Sequence, residues 1–418
     1  MTTDTVTAAI DTGPADPRRR ADNLVGTGVL VRLAVRRERI PLAIWIYALC
    51  ITIIASFPTL KSLYPDEASR AAIATGIGST PAFLVMTGPV GSTSLGGLTA
   101  WRYGVLGATM ISLMAIFTVV RRTRADEETG RTELLAAGVL GRYAPLAAAL
   151  AVAWGACLVI GAVVAVGAIA LGQPVAGSIA FGAALAGPGL VFAAVAAVGA
   201  QLVESARVAT AIAGSVLAVA FALRAVGDTG SGIGFLSWLS PIGWTAKIQA
   251  YGGNHWWVLL LLAALTVAGT AAAATLQSRR DVGLGVWPAR PGPSTNPRLR
   301  SPLSLAGRLQ RGSLIGWTIG FIGVGAISGG IANNVGDLIG DNPQMIELMH
   351  QLGGPGAMTD VLLATMGTVG GLLAGAYGIS AALRAASEES AERAAPVLAT
   401  AVGRGRWLGG HLLFALAG

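Results

Sequence analysis

An uncharged stretch in the first half of the chain constrains its fold more than any other feature. The 61 residues from Tyr143 to Val203 contain no Asp, Glu, Lys or Arg. A helix needs about 20 mostly apolar residues to cross the hydrocarbon core of a bilayer. The stretch therefore predicts two membrane-spanning helices joined by a turn at residues 172–174. Only 12% of all residues are charged, against about a quarter in soluble domains, which excludes an ordinary soluble protein.

Apolar stretches of the same kind recur along the whole chain and predict an all-α polytopic membrane protein. Residues 235–244 are apolar and Trp-rich but too short to span, and they predict a re-entrant or interfacial segment. Eight complete spans and the start of a ninth are predicted, near residues 40–57, 103–120, 146–171, 176–202, 208–225, 256–276, 313–335, 362–383 and from Trp407 onward.

Basic residues are concentrated in alternate connections between the spans. With a cytoplasmic N-terminus, the inner connections hold 24 Lys and Arg residues and the outer connections hold five. Because Lys- and Arg-rich loops stay on the cytoplasmic side of a membrane, the pattern predicts that the N-terminus is cytoplasmic. The net charge of +8 has the same explanation, so we expect no nucleic-acid partner.

The two halves of the chain share sequence features, which predicts an internal duplication. The residues around Arg36 recur 272 positions later, a Gly-Pro pair recurs after 266, and the charged pattern after the second span recurs after 262. Six spans precede the second copy, so both copies begin on the same side and the repeats are parallel. The second copy stops within its third span, and the repeat offset leads us to expect a parent chain of about 540 residues.

This duplication divides the chain into four segments. Residues 1–22 are expected to form a disordered cytoplasmic tail, and residues 23–280 the first six-span half. A Pro- and Arg-rich linker follows at 281–302, and residues 303–418 form an incomplete second half. The segments just before the first and seventh spans, 28–39 and 303–311, are either interfacial elbow helices or simple positive-inside anchors.

The inner connection at residues 121–142 carries the most information about function. Four carboxylates interleave there with five Arg residues, and paired leucines give the segment an apolar side, which predicts a short amphipathic helix at the membrane surface. The alternative is a solvated connector, whose ion pairs would contribute only tenths of a kcal/mol each. A similar charge pattern returns near residues 384–404, which favours docking of a partner protein.

Enzymatic and metal-binding functions find no support in the sequence. Both cysteines, Cys50 and Cys157, lie inside predicted spans, and none of the three histidines has a His or Cys at metal-ligand spacing. Neither lysine follows a glycine, so the chain has no Gly-x-x-x-x-Gly-Lys-Ser/Thr loop for ATP. We therefore expect a transport subunit without a cofactor of its own.

The sequence resembles the permease subunit of actinobacterial ABC-2-type exporters, a group linked to resistance to tetronasin-like polyketide antibiotics. The resemblance covers nearly the whole chain from about residue 25 and includes the duplicated six-span layout. It is carried by the run Glu-Glu-Thr-Gly-Arg-Thr-Glu-Leu-Leu at 127–135, by Gly141-Arg142, and by Trp-Leu-Ser-Pro-Ile-Gly-Trp at 238–244.

This resemblance implies a partner and a site. It implies a separate ATP-binding cassette subunit, in two copies, which holds ATP and Mg, and export of hydrophobic compounds through a bacterial plasma membrane. It also implies a coupling helix between the second and third spans. The residues expected to couple to the ATPase are Asp126, Glu127, Glu128, Gly130, Arg131, Glu133, Leu134 and Leu135, with Glu388, Glu389 and Arg393 in the second copy.

The second copy departs from this pattern, and a second kind of transporter stays open. Ala391 and Glu392 stand near the position of Gly130, and Pro396-Val397 replace the paired leucines, so we expect weaker docking there. The alternative is a proton-coupled drug carrier of the major facilitator type. Its loop between the second and third spans would be shorter, and its spans would need ionisable residues for a proton relay.

Overall fold

The computed structural model describes residues 23–131, 140–230, 232–281, 283–287, 299, 301–333, 355–390 and 392–417. The predicted tail at 1–22 and most of the predicted linker at 281–302 lie outside these ranges. Glu133, Leu134 and Leu135 of the predicted coupling segment also lie outside them. Within the described ranges all regular secondary structure is helical.

The chain forms two compact units, one made mainly of residues 1–289 and the other mainly of residues 290–418. Six described helices, all in the first unit, are long and apolar enough to cross a membrane, which confirms the predicted all-α polytopic membrane fold. They are α1 (Thr27–Leu63), α4 (Leu95–Val120), α6 (Ala144–Ala170), α7 (Val175–Leu202), α8 (Ala206–Thr229) and α11 (Trp257–Gln277). Shorter helices connect them: α2 (Glu67–Thr75), α3 (Pro81–Thr87), α5 (Asp126–Glu128), α9 (Phe235–Trp238) and α10 (Gly243–Lys247).

The first helix is longer than predicted because the elbow and the first span are continuous. Residues 28–39 were expected to form either an interfacial elbow helix or a positive-inside anchor before a span at 40–57, whereas α1 runs unbroken through Pro41. Its 37 residues measure about 56 Å at 1.5 Å per residue, well beyond the hydrocarbon core of about 30 Å. The elbow is therefore the first part of α1, and the helix is long enough for its Arg-rich first turns to extend beyond the hydrocarbon.

Helix α7 lies at the centre of the first unit and contacts α4, α6, α8 and α11. Its crossing with α6 brings two glycines together. A Cβ on Gly161 would lie 2.5 Å from the Gly182 carbonyl oxygen, and one on Gly182 would lie 2.3 Å from the Gly161 oxygen. Small residues allow this close backbone approach between membrane helices, so these two positions require glycine.

The two ends of the first unit differ in composition. We call the end where α4 ends and α6 begins the Arg-rich end, and the opposite end the Trp-rich end. The predicted re-entrant or interfacial segment lies at the Trp-rich end as the short helices α9 and α10. Trp238 stacks on Trp257 there with ring centroids 5.5 Å apart, and both rings are exposed, as expected for aromatic side chains at headgroup level.

The loop before α11 packs against α4 and α7 at the Trp-rich end. The Tyr251 hydroxyl donates to the Ser178 hydroxyl over 3.0 Å, and its ring lies against the backbones of Gly96 and Gly177. Burial raises the pKa of the Tyr251 phenol above its ordinary value, so it remains a protonated donor at neutral pH.

The second unit contains α12 (Pro302–Asn333), α13 (Pro355–Ser390), α14 (Ala394–Leu398) and α15 (Arg404–Ala417). Helices α12 and α13 lie at the positions predicted for the seventh and eighth spans, and α15 begins close to Trp407. Helix α15 contacts both of them. The Tyr377 hydroxyl of α13 also donates to the Phe414 carbonyl oxygen of α15.

Candidate functional site at the Arg-rich end

Helix α4 changes its winding where the predicted coupling segment begins. Residues Arg121–Ala125 form one turn of π-helix, and α5 follows directly. Single π-turns inside α-helices are uncommon and frequently occur at functional sites. The helix stops at Gly130, whose φ of 68° lies in the left-handed region that favours glycine. The described part of the segment is therefore a π-turn, one short helix and a glycine turn.

The Glu127 carboxylate is held by two arginines from distant parts of the chain. Arg280 donates from Nη2 to Oε1 over 2.7 Å and from Nη1 to Oε2 over 3.0 Å. Arg124 donates to Oε2 as well. A bidentate Arg–carboxylate pair of this kind is among the stronger hydrogen-bonded contacts in proteins. The Glu127 side chain is only 12% exposed, so its negative charge is directed into the protein.

Arg124 is one of the most deeply buried charges at this end, with 1% of its surface exposed. Besides Glu127 it has two backbone partners. Its Nε donates to the Val203 carbonyl oxygen over 2.5 Å, and its Nη2 donates to the Leu284 oxygen over 2.8 Å. In the sequence Arg124 is only one of five arginines interleaved with the acids. Its position three residues before Glu127 was the available signal for an ion pair.

Asp126 lies among three arginines that come from different places. Its nearest atoms are 3.3 Å from Arg131, 3.5 Å from Arg122 and 3.7 Å from Arg37 of α1. Arg131 is 53% exposed, which makes it the most accessible charge of the three. Asp126 thus connects the elbow part of α1 to the segment that follows α4.

Glu128 has a separate role at the start of α8. Its Oε1 accepts a hydrogen bond of 2.7 Å from the Ala206 backbone N–H. Ala206 is the first residue of α8, where backbone N–H groups lack partners inside the helix and a negative charge is favourable. Glu128 therefore caps α8 and ties the coupling segment to that helix.

Glu38 belongs to the same charge cluster, although its sequence position did not mark it as a site residue. Its side chain is 1% exposed and lies 2.7 Å from Arg122 and 3.2 Å from Arg121. An isolated charge at such a position would be costly, and pairing offsets that cost. The available signal was a lone acid among four arginines in residues 32–39.

The Gly141-Arg142 pair lies on the other side of the same site. The Gly141 N–H donates to the Val25 carbonyl oxygen over 2.9 Å. The Arg142 guanidinium donates to carbonyl oxygens of Gln277 and Ser278 over 3.1 and 3.0 Å, at the C-terminal end of α11, where a positive charge is favourable.

A cavity of about 390 Å³ lies at the Arg-rich end. It is lined on its apolar side by Leu30, Leu33 and Leu146, and on its polar side by Arg37, Glu127 and Arg280.

The second unit contains a similar ion triad. Glu388 is buried and lies 2.8 Å from Arg384 and 2.9 Å from Arg393. With the offset of 262, these three residues correspond to Asp126, Arg122 and Arg131, which are paired in the same way.

Other positions differ between the units. Gln310, which is also buried, stands where the offset of 272 places Glu38, and it donates to His411. Glu389, the counterpart of Glu127, is exposed and forms no ion pair with another described residue.

The three acids of the predicted coupling site contact other parts of this protein. Asp126, Glu127 and Glu128 are brought together, but each has partners within the protein. Glu128, Thr129 and Arg131 are exposed here, and of these Thr129 and Arg131 flank the glycine turn. No group of three or more His, Cys, Asp or Glu side chains that could hold a metal occurs among the described residues.

Comparison with known proteins identifies the family. The chain is 43% identical over 401 residues to the multidrug efflux system permease protein Rv1217c of Mycobacterium tuberculosis. The alignment covers 96% of this chain and 73% of that protein. The family described as Multidrug efflux system permease Rv1217c, C-terminal domain, matches residues 299–418. The expectation of an efflux permease in the membrane is thereby confirmed, and the chain belongs to the family of multidrug efflux system permeases that includes Rv1217c.

Proposed function

We propose that this chain is the membrane-spanning subunit of an ATP-driven exporter whose ATPase is a separate polypeptide. The ATPase, in two copies, would hold ATP and Mg, and this chain would bind no cofactor. The exported compounds would be hydrophobic, of the polyketide antibiotic type. The N-terminus and the Arg-rich end would face the cytoplasm, in agreement with the distribution of basic residues.

One observation carries this proposal: the segment between α4 and α6 is fixed to the bundle at every one of its described acids. Asp126 connects to α1, Glu127 to the chain after α11, and Glu128 to the start of α8. A solvated connector has no need of such anchoring. A segment that receives force from a partner does need it, because force is transmitted only through parts that resist deformation.

The mechanism follows from this anchoring. ATP binding would close the two ATPase subunits, and their movement would push on the turn at residues 129–131. The attached helices would then shift, and the permease would change from inward or membrane access to outward access. Such coupling requires one two-state element whose equilibrium is biased by both sites.

The second unit would dock more weakly than the first. Glu388 is used within its own triad, as Asp126 is, but the glycine turn and the paired leucines are absent from the second copy. Glu389 and Glu392 are exposed and remain accessible to a partner there.

The experiment uses a photo-crosslinker placed on the exposed turn. Both native cysteines are buried, so a benzophenone maleimide will react with an introduced cysteine. We expect Thr129→Cys, labelled in the complex purified from the native host's membranes, to crosslink to a P-loop ATPase that co-purifies. The matched control is Ser62→Cys, an exposed position at the other end of α1, which should not crosslink. A purified chain without ATP hydrolysis, or equal crosslinking at both positions, would rule out the proposal.

A proton-coupled carrier remains the second candidate, since one ion pair lies inside α8. Arg224 and Asp228 are both buried and 3.3 Å apart. However, Arg224 also donates to two backbone carbonyl oxygens, which is typical of a structural contact rather than a proton relay. Efflux that persists without ATP but stops when the proton gradient is collapsed would favour the carrier.

A further inference from the structure

Three separate chain segments converge on Glu127 at the Arg-rich end. The first is the π-turn with Arg124, the second is the end of α7 with Gln201 and Val203, and the third is the chain after α11 with Arg280 and Leu284. Sequence separation from Glu127 reaches 153 residues for Arg280. The carboxylate is therefore a junction that only the tertiary structure creates.

Each arginine ties the carboxylate to a different pair of acceptors. Arg124 reaches the carbonyl oxygens of Val203 and Leu284. Arg280 reaches the side-chain oxygen of Gln201 over 2.5 Å and the Leu284 oxygen over 3.0 Å. The Leu284 carbonyl thus accepts from both arginines. The guanidinium N–H groups of both arginines thus donate to acceptors in the protein at this junction.

Backbone hydrogen bonds extend the same connection. The N–H of Val286 donates to the Gln201 carbonyl oxygen over 3.0 Å, and the N–H of Trp287 donates to the Leu202 oxygen over 2.9 Å. The chain after α11 therefore lies along the end of α7. A displacement of one of these elements must either move the other or break these contacts.

Burial makes the junction sensitive to the loss of any member. The side chains of Arg124 and Arg280 are 1% and 5% exposed, so solvent compensates little for a lost partner. Removing one member of a buried ion pair leaves an uncompensated charge, which is far more disruptive than loss of a surface pair.

We infer that Arg124, Glu127 and Arg280 are positioning residues, a clasp that makes the coupling segment, the end of α7 and the exit of α11 move as one body. This inference rests on the proposed function, because the movement in question is the one imposed by the ATPase. It assigns to the acid at position 127 a task inside the permease, with contact to the partner left to residues 129–131.

Two of the three clasp positions can be compared with described residues of the second unit, and the contact between them is not repeated there. With the offset of 262, Ala386 stands in place of Arg124, and the exposed Glu389 stands in place of Glu127. Movement imposed on the second unit cannot be transmitted through these residues. The two copies of the coupling segment therefore differ at this contact.

The test measures a distance across the clasp in the complete complex of permease and ATPase. Spin labels on Thr129→Cys and Ser278→Cys report the coupling segment and the end of α11, and both positions are exposed. The distance distribution is recorded by pulsed electron spin resonance before and after trapping with ATP and vanadate. We expect no shift in the otherwise unchanged protein, and a shift or broadening on trapping when Glu127→Gln is added. The matched control, Glu389→Gln, should behave like the unchanged protein.

The outcomes separate the inference from the proposed function. A shift on trapping without Glu127→Gln, or no shift with it, overturns the clasp. Absence of vanadate-sensitive ATP hydrolysis in the unchanged complex overturns the proposed function instead. If Glu127→Gln does not accumulate in the membrane, Arg280→Lys replaces it. That variant keeps a positive charge but loses the bidentate contact. The distance distribution should therefore shift or broaden on trapping, and an unchanged distribution would contradict the proposed clasp.

Discussion

At the scale of single residues, Arg224 shows how a charge is accommodated inside this bundle. The side chain is fully buried near the Trp-rich end. It pairs with Asp228 at 3.3 Å, lies over the Phe221 ring at 4.6 Å, and donates to the carbonyl oxygens of Leu84 and Val85 at the end of α3. The carbonyl groups at a helix C-terminus lack partners within the helix. Arg224 supplies hydrogen-bond donors to two such carbonyl groups of α3, and Asp228 of α8 compensates its positive charge.

We expect Arg224→Met to destabilise the first unit strongly. The substitution would leave the Asp228 carboxylate buried without its cation, and breaking a buried pair in this way costs about 3–5 kcal/mol. The measurement is the midpoint of thermal unfolding in detergent, followed by tryptophan fluorescence. Arg207→Met, at an exposed position on the same helix, is the control and should change stability by about 0.5 kcal/mol at most. Equal midpoints for the two variants would show that the buried pair contributes nothing.

At the scale of elements, the crossing of α6 and α7 determines how closely the central helices pack. Two apolar helices gain little from hydrophobic association within lipid, so van der Waals contact between backbones has to stabilise them. Gly161 and Gly182 allow that contact by leaving the crossing point without side chains. Helix α7 is also the element that the clasp connects to the coupling segment, so its packing bears on function.

We expect Gly161→Ala to destabilise the bundle by about 1–3 kcal/mol, the usual cost of overpacking a tight interior. The added methyl group would lie 2.5 Å from a backbone oxygen that cannot rotate away. Gly155→Ala is the matched control on the same helix, since nothing lies within 4 Å of a Cβ there. Both variants are compared by thermal unfolding in the same detergent, and the crossing would be unimportant if they unfolded at the same temperature.

At the scale of the whole molecule, the two ends of the first unit should lie on opposite sides of the membrane. The Arg-rich end gathers the basic connections, and the Trp-rich end gathers exposed indole rings. The positive-inside rule assigns the Arg-rich end to the cytoplasm. The proposed ATPase would meet the permease there.

We expect an impermeant maleimide to label Ser62→Cys in intact cells, and to label Thr129→Cys only after the membrane is opened. Both positions are exposed, and they lie at opposite ends of the first unit. The protein with only its two buried native cysteines is the blank. Labelling of Thr129→Cys in intact cells would reverse the orientation and remove the ATPase docking site from the cytoplasm.

The sequence by itself determined the number of spans in the first half and the limits of three of them. Hydropathy is a local property, because about 20 consecutive apolar residues must cross the bilayer whatever their neighbours are. The helices α6, α7 and α11 accordingly begin and end within two residues of the predicted limits. The predicted limits of the first span, 40–57, were too narrow, since α1 runs from Thr27 to Leu63 with Pro41 inside it.

The partners of the charged residues were decided only by the tertiary structure. The run at residues 126–128 could equally have pointed to a partner protein or into the bundle, since helical spacing does not reveal which face is buried. Glu127 turned inward because Arg280, 153 residues later in the chain, lies beside it at the end of α11. Glu38 likewise pairs with Arg121 and Arg122 just after α4, more than 80 residues later in the chain. Ion pairs form wherever packing brings charges together out of water, and packing depends on every helix at once.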